Sequence, residues 1–275
     1  MLRIDLVHPV VSGNKWFKLK YHLQQALNES SKGIISFGGA WSNHLVATAW
    51  AGREAGLPVV GIVRGEEPAH YSPALKDMLD YQMQLRFVSR KTFADEPQLL
   101  SSLREEFPDH FIIPQGGQSK WGVEGAAEIL QPVPLDRYTH IACAVGTGTM
   151  MAGIVQASLP QQQVIGISSL RAEDMDNNSV RSFIEKYSSK KNYRLFFNYH
   201  FGGYARHTPA LLRFMNQFYD EYGVPGDFVY TGKLFFAISD LVDHDHFSPG
   251  SRLLLIHSGG LQGNRSLPPG TLTFQ

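Results

Sequence analysis

Lys15 and Lys18 stand three residues apart behind a Ser12-Gly13-Asn14 turn. Apolar residues at Trp16, Leu19, Leu23, Ala26 and Leu27 follow with helical spacing, so both amines open one helix and share a face. Amines placed this way suit covalent capture of an aldehyde by one and neutralisation of a phosphate by the other. The competing reading is a solvated basic helix start, because lysines are mostly exposed.

Two further segments carry groups that could bind anions. Ser42-Asn43-His44 follows Gly38-Gly39 and precedes a small-residue helix, where Ser42 or Asn43 can act as the cap. The same side chains, with the free N–H groups of the helix start, can also receive a carboxylate. Gly146-Thr147-Gly148-Thr149 follows an apolar run and opens another helix, an arrangement that cradles a phosphate in backbone amides. The loop lacks the Gly-x-Gly-x-x-Gly spacing of dinucleotide sites and no Gly-Lys-Ser/Thr follows it, so a single phosphate fits better than NAD or ATP. His244 and His246 lie in a polar stretch without a third ligand, and no metal site is expected. Cys143, inside an apolar run, reads as core.

These groups must be positioned by an alternation of strands and helices. Residues 33–37, 59–63, 85–88, 111–113, 140–144, 164–167 and 253–256 read as strands, and 43–52, 71–82, 96–107, 122–130 and 149–157 as helices. That order predicts an α/β fold with parallel strands and crossover helices, and 185–192 reads as a surface loop. Four Gly-Gly pairs, at 38–39, 116–117, 202–203 and 259–260, punctuate the pattern, three of them just after expected strands. Ligands collect at strand carboxyl ends in such sheets, so the pairs point to one shared crevice.

Composition narrows the partner. With 275 residues, 43% of them hydrophobic, the chain can bury one large core or two smaller ones. Lys+Arg and Asp+Glu both number 25, which leaves no global field for nucleic acid or an anionic membrane and favours a small molecule. No apolar run is long enough to cross a bilayer and the first residues carry no secretory pattern, while a single cysteine fits a reducing compartment; cytoplasm is the expectation.

Five motifs occur in order: Ser-Gly-Asn-Lys15 with Lys18, Gly38-Gly39-x-x-Ser42-Asn43-His44, the Gly146 loop, Tyr230-Thr231-Gly232-Lys233 and His257-Ser258-Gly259-Gly260. Together, over residues 5–260, they resemble the 1-aminocyclopropane-1-carboxylate deaminase / D-cysteine desulfhydrase family of pyridoxal-phosphate enzymes, with the tryptophan-synthase-β-like fold. The resemblance implies two open, mostly parallel sheets flanked by helices, with the cofactor between a larger domain (1–19 and 118–275) and a smaller one (20–117), and a homodimer. It implies that Lys15 holds the cofactor and moves the Cα proton, that Lys18, Gly146, Thr147, Gly148 and Thr149 bind the phosphate, and that Asn43 bonds the ring hydroxyl. Ser42, Asn43 and His44 would receive the substrate carboxylate, Tyr230 would sit by the ring, Tyr204 would be a second active-site tyrosine, and Ser258 would face the ring nitrogen. A hydroxyl there makes a weaker electron sink than a carboxylate would.

The ring-opening deaminases of this resemblance have Glu directly after the active-site tyrosine and Leu before the late Gly-Gly pair. Here those places hold Thr231 and Ser258, which favours β-elimination from a D-amino acid such as D-cysteine, with cyclopropane ring opening as the alternative. A non-catalytic pyridoxal-phosphate protein and a phosphate-binding module without a role for Lys15 are further readings. Trp41 stands where family members usually have Gln, which would reshape the carboxylate end of the pocket. Lys15 also has a shorter leader than in the family, which would remove a strand and leave a sheet edge.

Overall fold

A computed structural model describes residues 1–171 and 179–275. Nine strands are seen in these: β1 (Leu2–Arg3), β2 (Gly33–Gly39), β3 (Val59–Arg64), β4 (Gln84–Val88), β5 (His110–Ile113), β6 (His140–Val145), β7 (Gln163–Ser168), β8 (Tyr193–Phe196) and β9 (Leu253–His257). They form two sheets, in the orders β1-β9-β6-β7-β8 and β4-β3-β2-β5, and every pairing is parallel. The inner strands are apolar along nearly their whole length because helices cover both faces, as parallel sheets require.

The helices are α1 (Asn14–Asn28), α2 (Asn43–Glu54), α3 (Pro73–Asp80), α4 (Arg90–Ala94), α5 (Glu96–Glu106), α6 (Lys120–Ala127), α7 (Thr149–Ala157), α8 (Ser179–Tyr187), α9 (Pro209–Tyr222) and α10 (Thr231–Asp243). Hydroxyl caps start several of them: Ser42 Oγ accepts from Leu45 N at 3.1 Å, Ser72 from Leu75 N at 3.1 Å and Thr208 from Leu211 N at 3.3 Å. Pro73 and Pro209 follow two of these caps, where a missing N–H costs nothing.

The expected strands and helices all occur, with shifts of a few residues at their ends. Helix 71–82 is shorter, because Ser72 caps it and Tyr71 lies outside. The expected loop 185–192 begins only after Tyr187, since α8 runs through its first three positions, burying Val180 and Ile184. Six of these strands and helices were not expected: β1, β8, α4, α8, α9 and α10. Separate apolar cores support the two sheets, one around Val145, Met151 and Ile154 and another around Leu19, Leu45 and Val63. α1 joins them, packing on the second core while its backbone touches α6, where a Cβ on Gly125 would lie 2.0 Å from Phe17 O.

Candidate active site

Strands from both sheets deliver their carboxyl ends to one place. The turn after β5 meets the loop after β6, since a Cβ on Gly116 would stand 2.8 Å from Thr147 Cγ2. The loop after β9 meets the start of α2, where Asn43 Nδ2 donates to Gly260 O at 3.3 Å. The Ser12–Asn14 turn lies against this same loop: Asn14 N donates to Ser258 O at 3.2 Å.

Lys15 extends from this turn, its Nζ donating to Asn14 Oδ1 at 2.5 Å. Burial brings its amine down to about 8, against the opposing pull of the Asp227 carboxylate. Lys18 is buried, and its Nζ reaches only Gly116 O, at 3.3 Å. Burial and the neighbouring Lys15 ammonium hold the Lys18 amine well below its ordinary range. A buried ammonium with one long hydrogen bond has donors left for an anion. Beside it, Gly148 takes a left-handed backbone, Thr147 and Thr149 hydroxyls lie 2.9 Å apart, and the first N–H groups of α7 have no intrahelical partner.

Ser42 caps α2, one of the two roles the sequence allowed it. The Asn43 Oδ1 atom is buried without a hydrogen-bond partner. His44 differs from a simple carboxylate ligand. Its ring is buried and its Nε2 lies 3.0 Å from Ser36 Oγ, which itself donates to Ile113 O at 3.0 Å. Burial, then the two lysines, keep this imidazole neutral by pulling its pKa well down.

Tyr230 precedes α10, and burial followed by the Tyr204 phenol raises its own phenol well above the ordinary range. The two tyrosine rings meet edge to face with centroids 6.1 Å apart. Thr231 is fully buried and its hydroxyl donates to Asp227 Oδ1 at 2.7 Å. Ser258 is 6% exposed and follows His257, whose Nε2 lies 2.6 Å from Pro225 O. Trp41 is 40% exposed at the end of β2.

Asp227 is a site residue that the sequence reading missed. Its carboxylate accepts from the backbone N–H groups of Val229 (2.9 Å), Tyr230 (3.0 Å) and Thr231 (2.8 Å). Burial raises its pKa, and the bonds from the Thr231 and Tyr230 turn oppose that rise. An Asp just ahead of a helix start is a turn signal, but nothing local reveals its burial or the lysine whose charge it opposes. His22 was also missed: Nδ1 lies 2.7 Å from Lys18 O and Nε2 2.7 Å from the Ser119 hydroxyl that caps α6. Burial takes this imidazole to about 4. Cys143 is core, as expected, and burial lifts its thiol to about 12.

Two parallel α/β sheets that meet at their carboxyl ends, with a lysine on the first helix and the glycine- and threonine-rich 146–149 loop across the crevice, define a pyridoxal-phosphate enzyme of the tryptophan-synthase-β-like fold. The chain belongs to the family described as pyridoxal-phosphate dependent enzyme, which matches residues 2–259. The groups fit that cofactor: an amine of lowered pKa for its aldehyde, Lys18 and the Gly146–Thr149 amides as donors for its phosphate, and Asn43 Oδ1, with no partner among the described residues, as an acceptor for its ring hydroxyl.

Relatives agree. An Arabidopsis thaliana protein named bifunctional D-cysteine desulfhydrase/1-aminocyclopropane-1-carboxylate deaminase is 28% identical, over 95% of this chain and 72% of its own. A D-cysteine desulfhydrase of Salmonella paratyphi A is 25% identical, over 94% and 85%. A solved structure described as an ACC deaminase homologue superposes with a TM-score of 0.78 at 25% identity, over 95% of this chain and 84% of that one.

Proposed function

We propose that the chain performs β-elimination on a small D-amino acid such as D-cysteine, consuming water and releasing pyruvate, ammonia and sulfide. The observation that carries this reading is the surroundings of Tyr230. The residue after it is Thr231, whose hydroxyl is engaged by Asp227, and Asp227 is itself held by three backbone N–H groups. No second carboxylate follows Tyr230 of the kind that the ring-opening deaminases carry. Ring opening of 1-aminocyclopropane-1-carboxylate is the second reading, supported by the names of the relatives.

When bound, pyridoxal phosphate supplies an electron sink for charge developing at the substrate Cα. Lys15 would hold it through its amine and, as the base nearest that position, would move the proton at the substrate Cα. Its lowered pKa leaves much of it uncharged near neutrality. Lys18 and the 146–149 loop hold the phosphate, and Asn43 the ring hydroxyl. Ser258 would face the ring nitrogen, where a neutral hydroxyl would suit loss of a good leaving group. Ser42, Asn43 and the His44 backbone N–H receive the substrate carboxylate, while Tyr204 and Thr231 border the substrate end. Tyr230, its phenol pKa raised by burial, would sit by the ring and could donate a proton to the departing sulfur.

The division into domains 1–19 with 118–275 and 20–117 is supported by the separate sheets, the boundary crossing α1 at a point where that helix is continuous. A homodimer follows from the resemblance. A cytoplasmic setting is supported by the single cysteine. Among the described residues no helix is long and apolar enough to cross a membrane.

Absorption spectra of the purified protein with pyridoxal phosphate, before and after D-cysteine, test the reading. A violet Schiff-base band that changes as pyruvate accumulates, and that Lys15→Ala abolishes, is expected. A band without pyruvate from D-cysteine would remove the desulfhydrase reading and leave the cofactor.

A further inference from the structure

A buried lysine to which the reading above gives no part lies in the first turn of α10. Lys233 is 1% exposed, and its Nζ donates to His200 O at 2.8 Å and to Gly203 O at 2.9 Å. A cation near a helix N-terminus opposes the helix dipole, and burying it costs further desolvation. Something must offset both, and the two carbonyls are what the ammonium reaches.

Those carbonyls bracket an unusual loop. Phe201 (φ 51°), Gly202 (φ 97°), Gly203 (φ 113°) and Ala205 (φ 51°) all have left-handed backbone, which side-chain-bearing residues hold only when their surroundings enforce it. The same two oxygens already close the loop's own turns, accepting from Gly203 N at 3.0 Å and from Arg206 N at 3.2 Å. Lys233 therefore ties together the points on which the loop's shape depends. Tyr204 sits in this loop, 47% exposed, with its ring against Tyr230. Tyr230, the residue ahead of α10, is only three residues before Lys233, so the start of this helix holds one tyrosine and clamps the loop that carries the other.

We propose that Lys233 is a positioning residue that fixes Tyr204 over Tyr230 and so shapes the substrate end of the site. This rests on the lyase reading for its consequence, but not for its geometry. Burial, opposed by the Asp227 carboxylate, brings the Lys233 amine to about 8, in keeping with a cation held by neutral carbonyls.

Amide hydrogen exchange on the cofactor-loaded protein, with a D-cysteine kinetic cycle, provides the test. Lys233→Met should speed exchange of the 200–206 amides about tenfold or more while leaving α7 unchanged, as expected for release of one local unit. It should also raise KM for D-cysteine about tenfold with a smaller change in kcat, and lose that effect in a Tyr204→Ala background. Lys233→Gln, which keeps an N–H donor, should fall between. Unchanged loop exchange, an equal KM penalty with and without Tyr204, or failure of both variants to fold would each overturn the proposal, the last by making Lys233 a support of the whole fold. Absence of D-cysteine turnover in the unsubstituted protein would count against the lyase reading alone, and loop exchange would still decide the clamp.

Discussion

Gly13 lies directly against the carbonyl of Ser258: a Cβ on Gly13 would stand 1.9 Å from that oxygen. Gly13 also has φ 64°, a backbone conformation that other residues enter at a cost. Gly13→Ala should therefore destabilise the protein by about 3 kcal/mol or more, since clash and strain add. Urea denaturation would measure the loss, and a native midpoint would contradict the close approach. Any folded fraction should bind pyridoxal phosphate poorly, because the step displaces Asn14 and Lys15.

The lowered pKa of Lys15 gives a pH profile. The uncharged amine is the form that attacks the cofactor aldehyde, so the rate of band formation after adding pyridoxal phosphate to apoprotein should climb with pH and level off above about 8. Stability follows the same group: its folded pKa lies below its unfolded one, so between about 8 and 10.5 the unfolded chain binds more protons. Lys15's contribution to apoprotein stability should rise across that window, which melts of the protein and Lys15→Met compared at several pH values would show. A flat association rate from about pH 6 to 9 would contradict the assignment.

Asp227→Asn links the turn to that profile. An amide cannot accept from all the donors that now converge on the carboxylate, and a loss of about 2–4 kcal/mol is expected. The Asp227 charge raises the Lys15 pKa, so its removal should move the midpoint of the cofactor-binding profile to lower pH. A midpoint that stays in place while stability falls would confine Asp227 to a structural part.

Trp41→Gln tests the mouth of the site. A side chain 40% exposed contributes little to the core, and the melting temperature should shift by no more than about 3 °C. The change should fall on KM for D-cysteine rather than on kcat, because the proton-transfer groups are untouched. An unchanged KM would place Trp41 outside the carboxylate end.

The parallel architecture was readable because β2, β3 and β6 are short apolar runs separated by capped helices, a local pattern. One of the missed helices, α9, had a signal: Thr208-Pro209 ahead of Leu211 and Met215 is a cap before an amphipathic face. β1 and β8 were not readable, because two and four residues of mixed character become strands only by pairing with distant partners. Lys15, Lys18 and the Gly146 loop announced themselves through residue type and spacing. Asp227, His22 and Lys233 did not, because their importance comes from burial and from partners such as Ser119 and Gly203 that only the folded chain brings near.

β1 pairs Leu2 with Ile256 and Arg3 with His257, and the turn ahead of Lys15 rests on Ser258. During synthesis the lysine emerges well before β9 and the loop behind it, the surface that orients it. Such a long-range closure makes cofactor capture a late event in the birth of the molecule, and a ribosome stalled before β9 would present the lysine without its seat.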